Sequence, residues 1–483
     1  VGAARGAGLG GRAARDLARR ADRGVVAEPA PEGGVTADRL RPLGPPAGSA
    51  MDRPGFAWGV STSAYQIEGG VDADGRAPSI WDAFAGRPHA IARGESGAIA
   101  CDHRRRWADD VDLIAALGVD AYRMSIAWPR VVHPDGRPNR DGLAFYRAVL
   151  GRLAERGIDR LVTLYHWDLP QHLQDRGGWI NRDVAYRFAD YAELIARELG
   201  GLITAIATLN EPWCSAWLGH GSGHHAPGLA EPRFATAAMH HLLLGHGLAI
   251  ARLRDRAPAL RCGLVASLVR GAPATDTEAD RRAAALCELE HNAWVVDPVL
   301  GAGYPDALFG ERWPGSAPLA LPGDLETIAA PLDFLGINYY HRCTVRADGP
   351  GGYALVEPPG VERNQLGWEV YPEGLGELLR GLRAAHARLP PIYITENGLA
   401  SDDRVVDGRV ADDQRQRYLE RHIEVVSRAI EEGIDVRGYF VWSLLDNFEW
   451  SFGYAPRFGL VHVDFATLVR TPKDSARRLQ RYL

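Results

Sequence analysis

Short apolar runs rich in β-branched residues alternate along this chain with longer segments in which apolar positions recur every three or four residues. The short runs read as strands and the longer segments as amphipathic helices. From residue 56 onward eight strand runs can be placed, at 56–60, 121–127, 161–165, 203–209, 262–268, 334–337, 392–395 and 438–442. Between them, 108–117, 184–199, 233–253 and 414–432 carry the helical period, and Gly118, Gly200 and Gly433 stop three of these helices. Alternating strand and helix predicts a parallel sheet covered by helices. Eight strands predict an α/β fold, a single closed (β/α)8 TIM barrel, over residues 51–483. The segments 269–331 and 342–371 exceed ordinary connections and are expected to decorate the C-terminal face and wall a site there.

Residues 1–50 break this pattern. Ala, Gly, Arg and Pro dominate and aromatics are absent, so a disordered extension ahead of Met51 is expected. Gly6, Gly8 and Gly11 satisfy G-x-G-x-x-G, but no strand precedes them and no βαβ unit follows, so no dinucleotide site is read there.

Composition narrows the partners. The chain of 483 residues is 46% hydrophobic and 24% charged with a formal net charge of −6, which offers no broad basic surface to nucleic acid or anionic membrane. No run approaches the roughly 18 consecutive apolar residues of a membrane span. Cys101, Cys214, Cys262, Cys287 and Cys343 are scattered, odd in number and without a C-x-x-C pair; neither a disulfide framework nor a zinc site is signalled, and a reduced, cytoplasmic setting is expected. Thirteen Trp is a heavy load, several beside polar residues in loops, where indole faces suit sugar rings.

Polar residues just past strand ends gather on the C-terminal face of such a barrel. Here Gln66 follows the first strand, Arg123 lies in the second, His166-Trp167-Asp168 ends the third and Asn210-Glu211 the fourth. Asn338-Tyr339-Tyr340 ends the sixth, Glu396-Asn397 the seventh and Trp442 the eighth. So many polar groups would be costly to bury without partners or purpose. Two motifs stand out, Thr208-Leu209-Asn210-Glu211-Pro212 and Ile394-Thr395-Glu396-Asn397-Gly398, each delivering one Glu from a strand end. Two convergent carboxylates are what glycosidic bond cleavage needs: one protonates the leaving oxygen, the other attacks or stabilises the anomeric carbon. The histidines His220, His224, His225, His240, His241 and His246 lack a supporting Cys or acidic cluster, and no metal is assigned to them.

With Ser63-Ala64-Tyr65-Gln66-Ile67-Glu68-Gly69, Ala121-Tyr122-Arg123-Met124-Ser125-Ile126-Ala127-Trp128, Tyr165-His166-Trp167-Asp168-Leu169-Pro170 and Trp442-Ser443-Leu444-Leu445-Asp446-Asn447-Phe448-Glu449-Trp450, these motifs resemble glycoside hydrolase family 1 from about Phe56 to Leu483. The family comprises retaining β-glucosidases and β-galactosidases. The resemblance implies Glu211 as general acid/base and Glu396 as nucleophile, with Arg123, Asn338 and Tyr340 supporting the nucleophile. It implies Asn210 as ligand of the sugar 2-hydroxyl, and Gln66, His166, Trp442, Glu449 and Trp450 as the remainder of the glycone pocket. Trp213, Trp368 and His225 fall on the aglycone side; Cys214 is expected only to pack. Retention requires the two carboxyls about 5–5.5 Å apart, and Glu211 must have its pKa raised by burial and by the charge of Glu396.

Two departures from the family pattern are Met124, where Phe is commoner, and Arg104-Arg105, in place of Tyr and His. The expected activity is removal of terminal non-reducing β-D-glucosyl residues from small β-glucosides or cello-oligosaccharides, as in cellulose degradation, without a cofactor and with side activity on β-galactosides or β-fucosides. Alternatives are a 6-phospho-β-glycosidase, which an anionic Glu449 would disfavour by repelling phosphate, and a catalytically inactive glycan-binding protein on the same fold, which usually lacks one of the two Glu residues. Oligomeric state is open.

Overall fold

The computed structural model describes residues 42–483. Eight strands form the barrel: β1 (Ala57–Ser61), β2 (Ala121–Ser125), β3 (Asp159–Tyr165), β4 (Ala205–Asn210), β5 (Arg261–Ser267), β6 (Phe334–Asn338), β7 (Ile392–Asn397) and β8 (Val436–Trp442). They pair in parallel and the ring closes, with Gly59 opposite Ala121 on one side of β1 and Ser61 opposite Trp442 on the other. All eight expected strands are present, and so are the four expected helices, as His103–Leu117, Asp183–Leu199, Pro232–Arg256 and Asp413–Glu431. Pro232–Arg256 is the one described helix long and apolar enough to cross a bilayer; it is mostly buried, packed along Asp183–Leu199 as a core helix.

The inward column of each strand, read at period two, is apolar at its start and polar or aromatic at its end. Ala121, Leu161, Ala205, Ala207, Val265, Phe334 and Phe440 form a buried cluster of their own. Two residues further along the same columns stand Arg123 above Ala121 and Trp442 above Phe440, and four further Asn338 above Phe334. The barrel is thus plugged at the bottom by side chains, each large one stabilising by about 1.5–3 kcal/mol on burial, and chemically equipped at the top. Gly59 makes room for the plug: a Cβ there would come within 2.3 Å of the Phe440 ring.

The expected boundary at Met51 is too late. Leu43 is buried and its N–H donates to Arg478 O (2.9 Å), while Ser49 caps the turn Ala50–Asp52 and pairs with Ser427 Oγ (2.6 Å). Residues 42–50 are therefore packed against the C-terminal helices and belong to the barrel domain. The remainder of the expected disordered extension, including Gly6, Gly8 and Gly11, lies outside the described residues.

The periodicity also passed over helices Arg140–Glu155, Glu278–Glu288, Glu373–Ala385 and Asp474–Tyr482. The first starts where the Asn139 carboxamide accepts from Asp141 N and Gly142 N. The long segments expected as decoration contribute a small sheet, in which Arg342–Ala347 pairs in parallel with Arg270–Pro273 and antiparallel with Tyr353–Leu355. Of the departures noted above, Met124 is buried in the core and Arg104 grips Asp74 with two guanidinium hydrogen bonds (2.5 and 2.6 Å).

Candidate active site

The two Glu-bearing strands are irregular at their carboxyl ends. The register of β4 against β5 shifts between Ala207 and Asn210, and that of β7 against β6 between Ile394 and Glu396. Such bulges re-aim side chains that strict alternation would place elsewhere. Glu211 itself has φ +47°, and Trp167 and Trp450 have φ +78° and +51°. A non-glycine residue held there costs of order 1–3 kcal/mol, a strain that concentrates at functional sites. Gly398 in the second Glu motif answers a packing need, because a Cβ there would lie 1.8 Å from Trp442 O.

These irregularities bring Glu211 and Glu396, 5% and 3% exposed, into one hydrogen-bonded chain. Arg123 Nη1 donates to Glu396 Oε1 (2.5 Å), and Tyr340 Oη donates to Glu396 Oε2 (2.6 Å). Arg123 Nη2 donates to Asn210 Oδ1 (2.6 Å), which also accepts from Asn338 Nδ2 (3.1 Å). Asn338 Nδ2 reaches Glu211 Oε1 as well (2.9 Å), and Asn338 Oδ1 accepts from Thr395 Oγ1 (2.7 Å). The environments of the two carboxylates differ. Glu396 has a guanidinium against it, whereas burial first and the charge of Glu396 second push Glu211 up to about 7. One carboxylate is thereby neutralised by a fixed cation, and the other holds a proton near neutral pH.

Around them stand the other expected glycone residues. Asn210 Nδ2 donates to His166 Nε2 (3.1 Å), which puts the ring proton on Nδ1. Burial, with Arg123 nearby, holds His166 well below the usual imidazole range, so the ring is neutral, and Nδ1 is buried without a protein partner, a donor left for a ligand. The rings of Trp442 and Trp450 lie near-parallel to His166, both with centroids 6.0 Å away. Gln66 is wholly engaged in the protein: its amide donates to Asn447 Oδ1 (3.0 Å), Phe448 O (3.0 Å) and Glu449 Oε2 (3.2 Å). It tethers the loop after β8 and orients Glu449. A buried ion cluster grips the same loop, since Lys473, the only Lys in the chain, donates to Asp446 Oδ1 (2.7 Å) and Asp403 Oδ2 (2.5 Å), and Arg457 to Asp446 Oδ2 (2.7 Å).

Three expectations are corrected, those for Asn338, Glu449 and Cys214. Asn338, assigned to the nucleophile, touches Glu211 and Asn210 instead; its link to β7 runs through Thr395. His225, expected on the aglycone side, packs with Trp81 (5.3 Å), Trp167 (5.3 Å) and Trp450 (6.4 Å). Trp368 by contrast packs near Tyr340 (5.7 Å) and His341 (4.8 Å), and Trp213 stacks on His291 (4.0 Å). Glu449 is not the anion expected at neutral pH. Although its side chain keeps partial solvent access, loss of water and the charges of Glu396 and Glu211 push it up to about 8. Cys214, expected only to pack, donates its thiol to Glu211 Oε2 (3.3 Å); a residue three positions after a strand-end Glu gave no signal in the sequence beyond proximity.

Among the described residues no group of His, Cys, Asp or Glu is arranged to hold a metal ion. Several of the histidines have structural partners: His240 bonds Asp324 and Tyr304, His241 bonds Trp179 O, and His246 bonds Thr208 Oγ1.

Comparisons with known proteins converge on one family. Residues 50–482 match the family model described as Glycosyl hydrolase family 1. The chain is 44% identical to a β-glucosidase of Agrobacterium sp., the alignment covering 87% of this chain and 93% of that one. It is 43% identical to a bifunctional β-D-glucosidase/β-D-fucosidase of Bifidobacterium breve, covering 89% and 97%. The solved family 1 β-glucosidase of Thermotoga maritima superposes with a TM-score of 0.87 at 40% identity, covering 90% of this chain and 98% of that one.

Proposed function

The chain belongs to glycosyl hydrolase family 1 and is a retaining β-glucosidase, and on that premise we propose that Glu396 is its nucleophile and Glu211 its acid/base. The observation that carries the assignment is the asymmetry of the pair: Arg123 and Tyr340 both donate to Glu396, while Glu211 sits buried beside that charge and is pushed up to about 7. Glu396 attacks the anomeric carbon as Glu211 gives its proton to the departing oxygen, leaving a glycosyl ester on Glu396. Esterification removes the Glu396 charge, so the carboxyl of Glu211 becomes more acidic and, ionised, takes the proton of the water that cleaves the ester. Asn210, held by Arg123 and Asn338, faces the 2-hydroxyl, whose hydrogen bond strengthens in the transition state.

The acid role has a sign. Glu211 must be protonated in the free enzyme for the first step, so kcat/KM on alkyl glucosides is expected to fall as pH rises through about 7. A pH–rate profile checks this, and a plateau extending to pH 9 would contradict the assignment.

The substrate is an unphosphorylated glycoside. A sugar phosphate would bring its charge beside the Glu396 carboxylate, and Arg457, in the loop after β8, is committed to Asp446. This replaces the expected repulsion by an anionic Glu449 as the reason. A protonated Glu449 both donates and accepts, which suits neighbouring sugar hydroxyls. Glu449→Ala is expected to lower kcat/KM for β-glucosides by roughly 10–100-fold, the scale of one or two lost polar contacts, with Glu449→Gln recovering part. Specificity constants over glucosides, galactosides, fucosides, cellobiose and 6-phosphoglucosides test the whole reading; a preference for 6-phosphoglucosides would overturn it. Side activity on β-fucosides is in keeping with the Bifidobacterium relative. Five free, buried cysteines support a reducing, cytoplasmic setting, and small β-glucosides or cello-oligosaccharides are the proposed substrates, which would give the enzyme a part in cellulose degradation.

A further inference from the structure

Glu211 is held at both ends by one residue. The backbone N–H of Cys214 donates to Glu211 O (3.0 Å) and its thiol donates to Glu211 Oε2 (3.3 Å). At the other carboxylate oxygen, Asn338 Nδ2 donates to Oε1 (2.9 Å). An amide donor on Oε1 favours that oxygen as acceptor and leaves the exchangeable proton of the acid to Oε2. Oε2 is the oxygen on which the thiol sits. Cys214 is 8% exposed, and burial together with the neighbouring Glu211 keeps its thiol well above the usual range, so it stays an S–H donor throughout the working pH of the site.

We infer that Cys214 is a positioning residue for the acid/base, fixing the proton-carrying oxygen of Glu211 and favouring its ionised form. The inference rests on the assignment of Glu211 made above. The carboxyl has opposing duties, acid in the first step and base in the second. Burial and Glu396 favour the acid, whereas the thiol and Asn338 draw it back towards the base. A thiol is a weak donor, so it makes a modest correction without trapping the carboxylate as a hydroxyl or guanidinium would.

The test compares wild type, Cys214→Ala, Cys214→Ser and Glu211→Ala by pH profiles of kcat/KM on an alkyl glucoside, with thermal unfolding as a check of folding. Loss of the donor in Cys214→Ala is expected to move the alkaline limb upward by about 0.5–1 pH unit, the shift that losing a weak hydrogen bond to a charged group makes. Cys214→Ser, whose O–H is the stronger donor, is expected to hold the limb at the wild-type position or move it downward, opposite to the Ala variant. The thiol's effect should fall on kcat/KM and its pH dependence more than on KM, since the thiol is engaged with Glu211. An unmoved limb in Cys214→Ala, or equal shifts in the Ala and Ser variants, would overturn the inference. If Glu211→Ala instead keeps the wild-type limb, the acid/base assignment itself fails, an outcome distinct from the others.

Discussion

Glu396→Gln is expected to lose roughly 10⁵-fold or more in kcat on every glycoside, the scale of removing a covalent nucleophile, while remaining folded. The carboxamide matches the carboxylate in shape, and its oxygen can still accept from Arg123, but it cannot form the glycosyl ester. Breaking a buried ion pair ordinarily costs about 3–5 kcal/mol. Here the cost is offset, because removing the Glu396 charge relieves Glu211, whose carboxyl then ionises more readily and restores a counter-charge within the same hydrogen-bonded chain to Arg123. The variant should therefore unfold within a few degrees of wild type. A 2-deoxy-2-fluoroglucoside with a good leaving group should label wild type on a single peptide containing Glu396 and leave the variant unlabelled. Near-normal turnover by the folded variant, or labelling at another residue, would remove Glu396 from its role.

Much of this site was legible from residue order alone, and what was not has identifiable causes. The eight strands could be placed because each is a short apolar run followed by polar residues, and the inward column carries both the plug and the chemistry: Phe440 and Trp442 differ only in height along β8. The partners of Glu396, Arg123 and Tyr340, were implied by the family resemblance and do meet it across the barrel axis. The partner of Asn338 was not so implied. Bulges in β4 and β7 and the left-handed backbone at Glu211 break the alternation that assigns faces, so which of Asn210, Glu211 and Glu396 an amide from β6 meets depends on the bulge geometry. The packing of His225 could not be read for another reason. It lies in a loop with no period, and its destination against Trp81 and Trp167 is set by tertiary packing. Residues 42–50 look like linker by composition, yet one buried Leu43 and two hydrogen-bonded anchors suffice to bind them to the barrel domain.

Glu211→Ala separates the two chemical steps and is the strongest test of the paired roles. On alkyl glucosides, whose leaving oxygen must be protonated, kcat/KM is expected to fall by about 10²–10⁴-fold, the usual worth of a positioned general acid. On a 2,4-dinitrophenyl glucoside the leaving group departs unaided, so Glu396 should still be glycosylated. Water then attacks slowly without its base, the ester accumulates, and both kcat and KM fall. Azide needs no base, and with the Glu211 charge gone no anion guards that face of the intermediate. Added azide is therefore expected to restore turnover of the dinitrophenyl substrate and to leave the alkyl substrate inert. Azide attacks the ester from the face that water uses, so the product should be β-glucosyl azide, formed by two successive inversions. Restored turnover giving the α-azide would mean that Glu396 is not the displaced group. No restoration by a folded variant would mean that Glu211 is not the residue that activates water.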